Sequence, residues 1–226
     1  MIHLWRSFHP WSVIMTSQHS LVRRWLTIIN DSNSDPENVP TIIPGSGRLL
    51  LCQGQSPTCL PVSAAMVLDT MGIKYSPEIY NSLTKQLSDE DLCYMRPIAQ
   101  RLGQHLKGLY HITISGDSNM IPNSAVQAEQ IRNVTHSCPA ICTLQIISAD
   151  EDSRGSQDPY YHAVVVDRVT QIDRDYVFLG RNPWGSRFTV YSNDMSCLFP
   201  GNSVYLTNEI MYFTEWSIID WFKGII

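Results

Sequence analysis

Residues 162–185 read "HAVVVDRVTQIDRDYVFLGRNPWG", two runs of β-branched and aromatic residues around a polar centre. That is the pattern of two strands joined by a turn. A five-residue loop, Thr170 to Arg174, sets Val169 against Asp175, and the same antiparallel register places His162 opposite Asn182. Directly opposed residues have Cβ atoms roughly 4.5–5.5 Å apart, so an Asn oxygen there can accept the imidazole N–H and hold the ring in one tautomer. Asp167 lies five residues from His162, and strand alternation sends it to the other face. Asn182 is therefore the better orienter, and a slip of one residue would turn it away.

Further out, "LYHITIS" at 109–115, "AICTLQII" at 140–147 and "RFTVY" at 187–191 share the strand texture, with one helix, "NSAVQAEQIRNV" at 123–134, between the first two. The first half is helical instead. "CLPVSAAMVLDTMG" at 59–72 reads as a helix with Thr58 as N-cap, Pro61 tolerated in the first turn and Gly72 ending it in the left-handed conformation. "SPE" at 76–78 opens another helix. The capping-box pattern Ser88-x-x-Asp91 opens a third, with Pro97 dividing it. Helices followed by strands imply an α+β fold with an antiparallel sheet rather than a βαβ alternation.

Cys59 falls at the N-terminus of the first of these helices. A helix N-terminus with a nearby imidazolium favours the thiolate, the nucleophilic form of cysteine. Seven histidines are available, and only His162 opens a long apolar strand with a second strand soon after it. Cys52 is the weaker nucleophile, since "RLLL" before it reads as extended chain.

Composition narrows the class. With 226 residues, 43% hydrophobic and 16% charged, the chain suits one globular domain, and a net charge of −5 gives no basic excess for nucleic acid or anionic lipid. Six cysteines are too few for a disulfide scaffold, so buried thiols are expected. His136, Cys138 and Cys142 lack the further ligand a zinc site needs, so no metal or cofactor is expected. No run is long and apolar enough for a membrane span, and Arg6, His9 and Pro10 break any signal-peptide core. A soluble protein is expected, cytoplasmic or exported without a cleavable signal. Residues 1–40 read as an extension, with an amphipathic helix at 19–30 and a polar linker, ahead of a catalytic domain over 41–226. The acidic segment 149–158 reads as a solvated loop.

In these motifs the chain resembles the papain-like cysteine peptidases. "QG" at Gln53 and Gly54, six residues ahead of Cys59, matches the family's oxyanion glutamine; "HAVVV" resembles its histidine strand; "NPWG" at 182–185 resembles its Asn-x-Trp-Gly, in wording nearer calpains. The resemblance implies a helical half packed on an antiparallel sheet with the active site in the cleft between. It also implies a Cys59–His162–Asn182 triad, Gln53 in the oxyanion hole, Trp184 over the Asn–His bond, and Gly54 and Trp184 beside the substrate. Pro57, Thr58 and Leu60 depart from the family's usual flanks of the nucleophile, and the paired-cysteine framework of its lysosomal members is missing.

The expected activity is endopeptidase cleavage of a protein or peptide through a Cys59 thioester. The same constellation also serves a glutamine deamidase or transglutaminase, and the altered flanks suit a non-catalytic binding module on the same scaffold. A bacterial effector acting on host protein is one setting consistent with this reading. The oligomeric state is not legible.

Overall fold

The computed structural model describes residues 41–54, 57–72, 77–106, 109–117, 124–148 and 159–215. The expected helix and linker within 1–40, and the acidic loop at 149–158, lie outside the described residues.

Two short strands, β1 (Thr41–Ile42) and β2 (Leu49–Leu50), pair antiparallel and lead into the helix α1 (Cys59–Thr70). Thr58 holds the N-cap position, but its side chain makes no capping bond; its carbonyl accepts the Val62 N–H at 3.0 Å. Gly72, at φ +74°, ends the helix as expected, because that backbone region costs a side-chain-bearing residue strain. Leu60 through Leu68 are all buried, so α1 is a central helix covered on every side.

Helix α2 (Pro77–Thr84) follows. The Ser88–Asp91 capping box forms: Ser88 Oγ donates to Asp91 Oδ2 at 2.9 Å, and the Asp91 N–H donates to Ser88 Oγ at 3.1 Å. It caps only a 3-10 turn, Asp91–Cys93, because Tyr94 is extended at φ −105°, ψ 135°. Helix α3 (Met95–His105) starts afresh there, so the division falls at Tyr94 and Pro97 sits in the first turn of α3, where a missing N–H costs nothing.

The remaining strands form one antiparallel six-stranded sheet in the order β3-β8-β4-β5-β6-β7. They are β3 (Tyr110–Ser115), β4 (Ala140–Ser148), β5 (Tyr160–Ile172), β6 (Asp175–Asn182), β7 (Ser186–Tyr191) and β8 (Asn202–Glu215), with helix α4 (Ser124–Val134) between β3 and β4. The fold is mixed α+β, with helices on the sheet. Alternation along β5 divides two cores. Ala163 and Val165 point to one built with α1, α3 and Leu83 of α2, while Val164 and Val166 point to one with Ala128 and Ile131 of α4, Phe178, Phe188 and Phe199.

The β5–β6 hairpin is tighter than expected. Its turn is the two residues Asp173 and Arg174, with Asp173 at φ +55°, and Ile172 faces Asp175. The register runs unbroken to Arg168 against Leu179, then slips by one to Val166 against Gly180 and Val165 against Arg181. Asp167 is the extra residue, a β-bulge. His162 therefore does not oppose Asn182 directly; next in line across from Asn182 is Val164, and His162 is its same-face diagonal neighbour.

Candidate active site

The diagonal placement still joins the pair. His162 Nε2 lies 2.8 Å from Asn182 Oδ1, both side chains being buried. The same oxygen accepts the Trp184 N–H at 3.0 Å, which fixes it as the acceptor. Nε2 thus carries the hydrogen and Nδ1 keeps the lone pair.

An aromatic enclosure surrounds this bond. The Trp184 ring lies 4.8 Å from the imidazole at a 47° tilt, and Phe199 meets it edge-on at 5.4 Å. The two rings contact each other at 4.8 Å, nearly perpendicular. Phe199 follows a 3-10 turn, Met195–Leu198, that packs on the same core, and no motif in the sequence marks it. Burial drives the His162 pKa down to about 4 against the upward pull of the Asn182 bond. At neutral pH the imidazole is an uncharged base.

Cys59 sits at the first position of α1, half-buried. Its sulfur lies near the main chain of Ala163, the residue after His162, and Ser63 one turn on donates to the Ala163 carbonyl at 3.5 Å. The helix start and the histidine strand therefore meet at Ala163. The thiol and the imidazole share no direct hydrogen bond. Burial raises the Cys59 pKa above its ordinary value, and main-chain bonds with Ala163, Leu60 and Cys59 itself pull it down without reversing the shift. The thiolate expected at this helix end is thus not the resting form, because desolvation outweighs the helix N-terminus.

Gln53 is buried against the loop that bears Asn182: its N–H donates to the Pro183 carbonyl at 2.6 Å, and Cys52 forms an antiparallel bridge with Trp184. Gly185 completes the junction. At φ +86° it favours glycine, and a Cβ there would stand 3.3 Å from the Cys52 Cβ. Gly54, at φ +61°, turns the chain away toward α1. Trp184 remains 46% exposed.

Behind the site, Arg181 points to the α1 side of the sheet and is fully buried. Its Nε and Nη2 donate to the two oxygens of Asp167 at 3.0 and 2.7 Å; Nη1 donates to the carbonyls of Leu49 at 2.7 Å and Met66 at 3.1 Å; Nη2 also reaches Thr70 Oγ1 at 2.8 Å. Arg48 joins Asp167 at 3.0 Å. Asp167 is thus on the face away from His162, as alternation requires. Arg181 was legible only as a charge inside an otherwise apolar strand.

None of the six cysteines forms a disulfide. Cys142 is a buried thiol of β4 and Cys138 a buried thiol in the bend just before it, the latter pushed up to about 12 by burial, and the described residues contain no metal-binding cluster. No described helix is long and apolar enough to cross a membrane. A cavity of about 840 Å³ opens beside Thr70, Met71 and Arg168, at the end of α1 away from Cys59.

No family model matches the sequence, and no curated protein matches it. Among solved structures the chain is similar to a double glycine motif protease from an AMS/PCAT transporter, determined in complex with the leader peptide. The similarity spans 78% of this chain and 98% of that one, at 12% identity and a TM-score of 0.49.

Proposed function

We propose that the protein is a papain-like cysteine peptidase that cleaves a protein or peptide amide with Cys59 as nucleophile. The observation that carries this reading is the 2.8 Å bond between His162 and Asn182 beneath Trp184, which leaves the lone pair on Nδ1 in a strand whose next residue, Ala163, meets the helix that Cys59 opens. As Cys59 attacks the carbonyl carbon, its proton passes to Nδ1 of neutral His162. Asn182 supports the resulting imidazolium through Nε2–H. Gln53 and the Cys59 main-chain N–H stabilise the oxyanion, and collapse of the intermediate sends the proton to the leaving amine. Water, deprotonated by the same imidazole, then hydrolyses the thioester and releases the thiol. Trp184 and Gly54 border the acyl group.

The raised thiol and the missing thiol–imidazole bond favour one alternative, a non-catalytic module that binds peptides. A single experiment separates them. Wild type and Cys59→Ala are incubated with cell lysate and new protein N-termini are sequenced. The peptidase reading expects N-termini that appear with wild type only, and identical sets in both samples would sink it. Intact substrates that have exchanged a glutamine for glutamate would redirect the same chemistry to deamidation.

A further inference from the structure

The bulge at Asp167 decides which way Asn182 points. If the turn-side register of the hairpin continued unslipped beyond Arg168 and Leu179, Gly180 would face Asp167, Arg181 would face Val166 and Asn182 would face Val165. Val165 belongs to the α1-side core, opposite to His162. Without the slip at Asp167, then, Asn182 turns away from the imidazole and Arg181 turns toward it. With it, Asn182 returns to the face of His162, and Arg181 enters the α1 side, where it finds five acceptors among Asp167, Leu49, Met66 and Thr70.

Those acceptors exist for Arg181 in the bulged register alone. The Asp167 carboxylate, 9% exposed, grips Arg181 in two places and Arg48 in a third. A guanidinium driven to the other face would be desolvated beside Phe178, Val166 and Phe199 without these acceptors, a charge buried and uncompensated. Gly180 fits the same register: a side chain there would collide with the Val165 carbonyl and the Phe188 ring.

We infer that Asp167 is a positioning residue, whose ion pair with Arg181 and Arg48 holds the β5 bulge and so aims Asn182 at His162. This deepens the proposed peptidase reading and rests on it for its functional meaning. The pairing itself can be tested without any activity. In protein with ¹⁵N-labelled histidine, the Nε2 proton of His162 gives a slowly exchanging NMR signal, assigned by its disappearance in His162→Gln. Asp167→Ala is expected to lose that signal while remaining folded. Deletion of Asp167 combined with Arg181→Met is expected to keep it, because removal of the extra residue yields a continuous ladder that still sets Asn182 on the face of His162, with no buried charge left over. A folded Asp167→Ala that retains the signal would overturn the inference, as would a folded double variant that lacks it.

Labelling with a peptidyl vinyl sulfone keeps the two readings apart. If wild type and His162→Ala label at the same rate, the catalytic reading fails while the NMR result still judges the bulge. If His162→Ala is slower, Asp167→Ala is expected to slow to the same extent and the double variant to recover.

Discussion

The two faces of the β5–β6 hairpin solve opposite electrostatic problems. Toward Phe199, His162 and Asn182 form a neutral polar pair shut in by aromatic rings, and burial keeps the imidazole uncharged. Toward α1, Arg181 is a full charge without solvent contact, neutralised by Asp167 and spread over main-chain carbonyls. Burial is tolerable on the first face because nothing is ionised, and on the second because every donor is satisfied. On the proposed reading the charged face holds the strand in register, and the neutral face carries the imidazole and its orienting amide.

The comparison breaks most severely at Arg181. Arg181→Ala strands the Asp167 carboxylate and empties the space beside α1, and urea unfolding should show a loss of about 3–5 kcal/mol. Acid tests the opposite face. The folded pKa of His162, about 4, lies below its ordinary 6.5, so between these values the unfolded chain binds a proton that the folded chain does not. Stability is therefore fully present above pH 6.5 and falls by about 3 kcal/mol as pH drops to 4. Unfolding midpoints across that window should show the slope in wild type and a flatter one in His162→Gln.

A smaller effect sharpens the role of the cover. Trp184→Ala removes a ring contact worth about 1 kcal/mol and admits water to the His–Asn bond. Peptidase turnover should fall about tenfold, and the His162 pKa should rise toward its ordinary value by NMR titration. The smallest effect is a control outside both faces. Ser88→Ala breaks the capping box and should cost about 1 kcal/mol of stability with turnover unchanged.

Much of this architecture is readable from the residues because it follows period and punctuation. Strand texture located β5 and β6, and Gly72 located the end of the Cys59 helix. The hairpin shows where such reading stops. The turn residues Asp173 and Arg174 lack the glycine that marks a two-residue hairpin turn, so the sequence reads as a five-residue loop, Thr170 to Arg174, where the two-residue turn forms. Nor does Asp167 announce a bulge, since an Asp in a strand ordinarily means a solvent-facing position. Its partner Arg181 lies across the sheet, and the contact is set by tertiary packing. Two errors in register then offset one another: the tighter turn displaced the strands by three residues and the bulge returned one, leaving an even offset that preserves the face. The shift of the Cys59 thiol is hidden from the sequence for a related reason. Pattern locates Cys59 at a helix start, but whether water reaches that start depends on what packs over it.

The junction between Gln53 and Pro183 has a mechanical consequence. The Gln53 N–H to Pro183 carbonyl bond, the Cys52–Trp184 bridge and the close seat of Gly185 on Cys52 rivet the chain ahead of the Cys59 helix to the loop after β6. The segment ahead of Cys59 and the loop after Asn182 are fastened together at this end, a rivet rather than a hinge. On the proposed reading, a peptide would have to arrive already extended, and a folded domain would have to offer a loose segment.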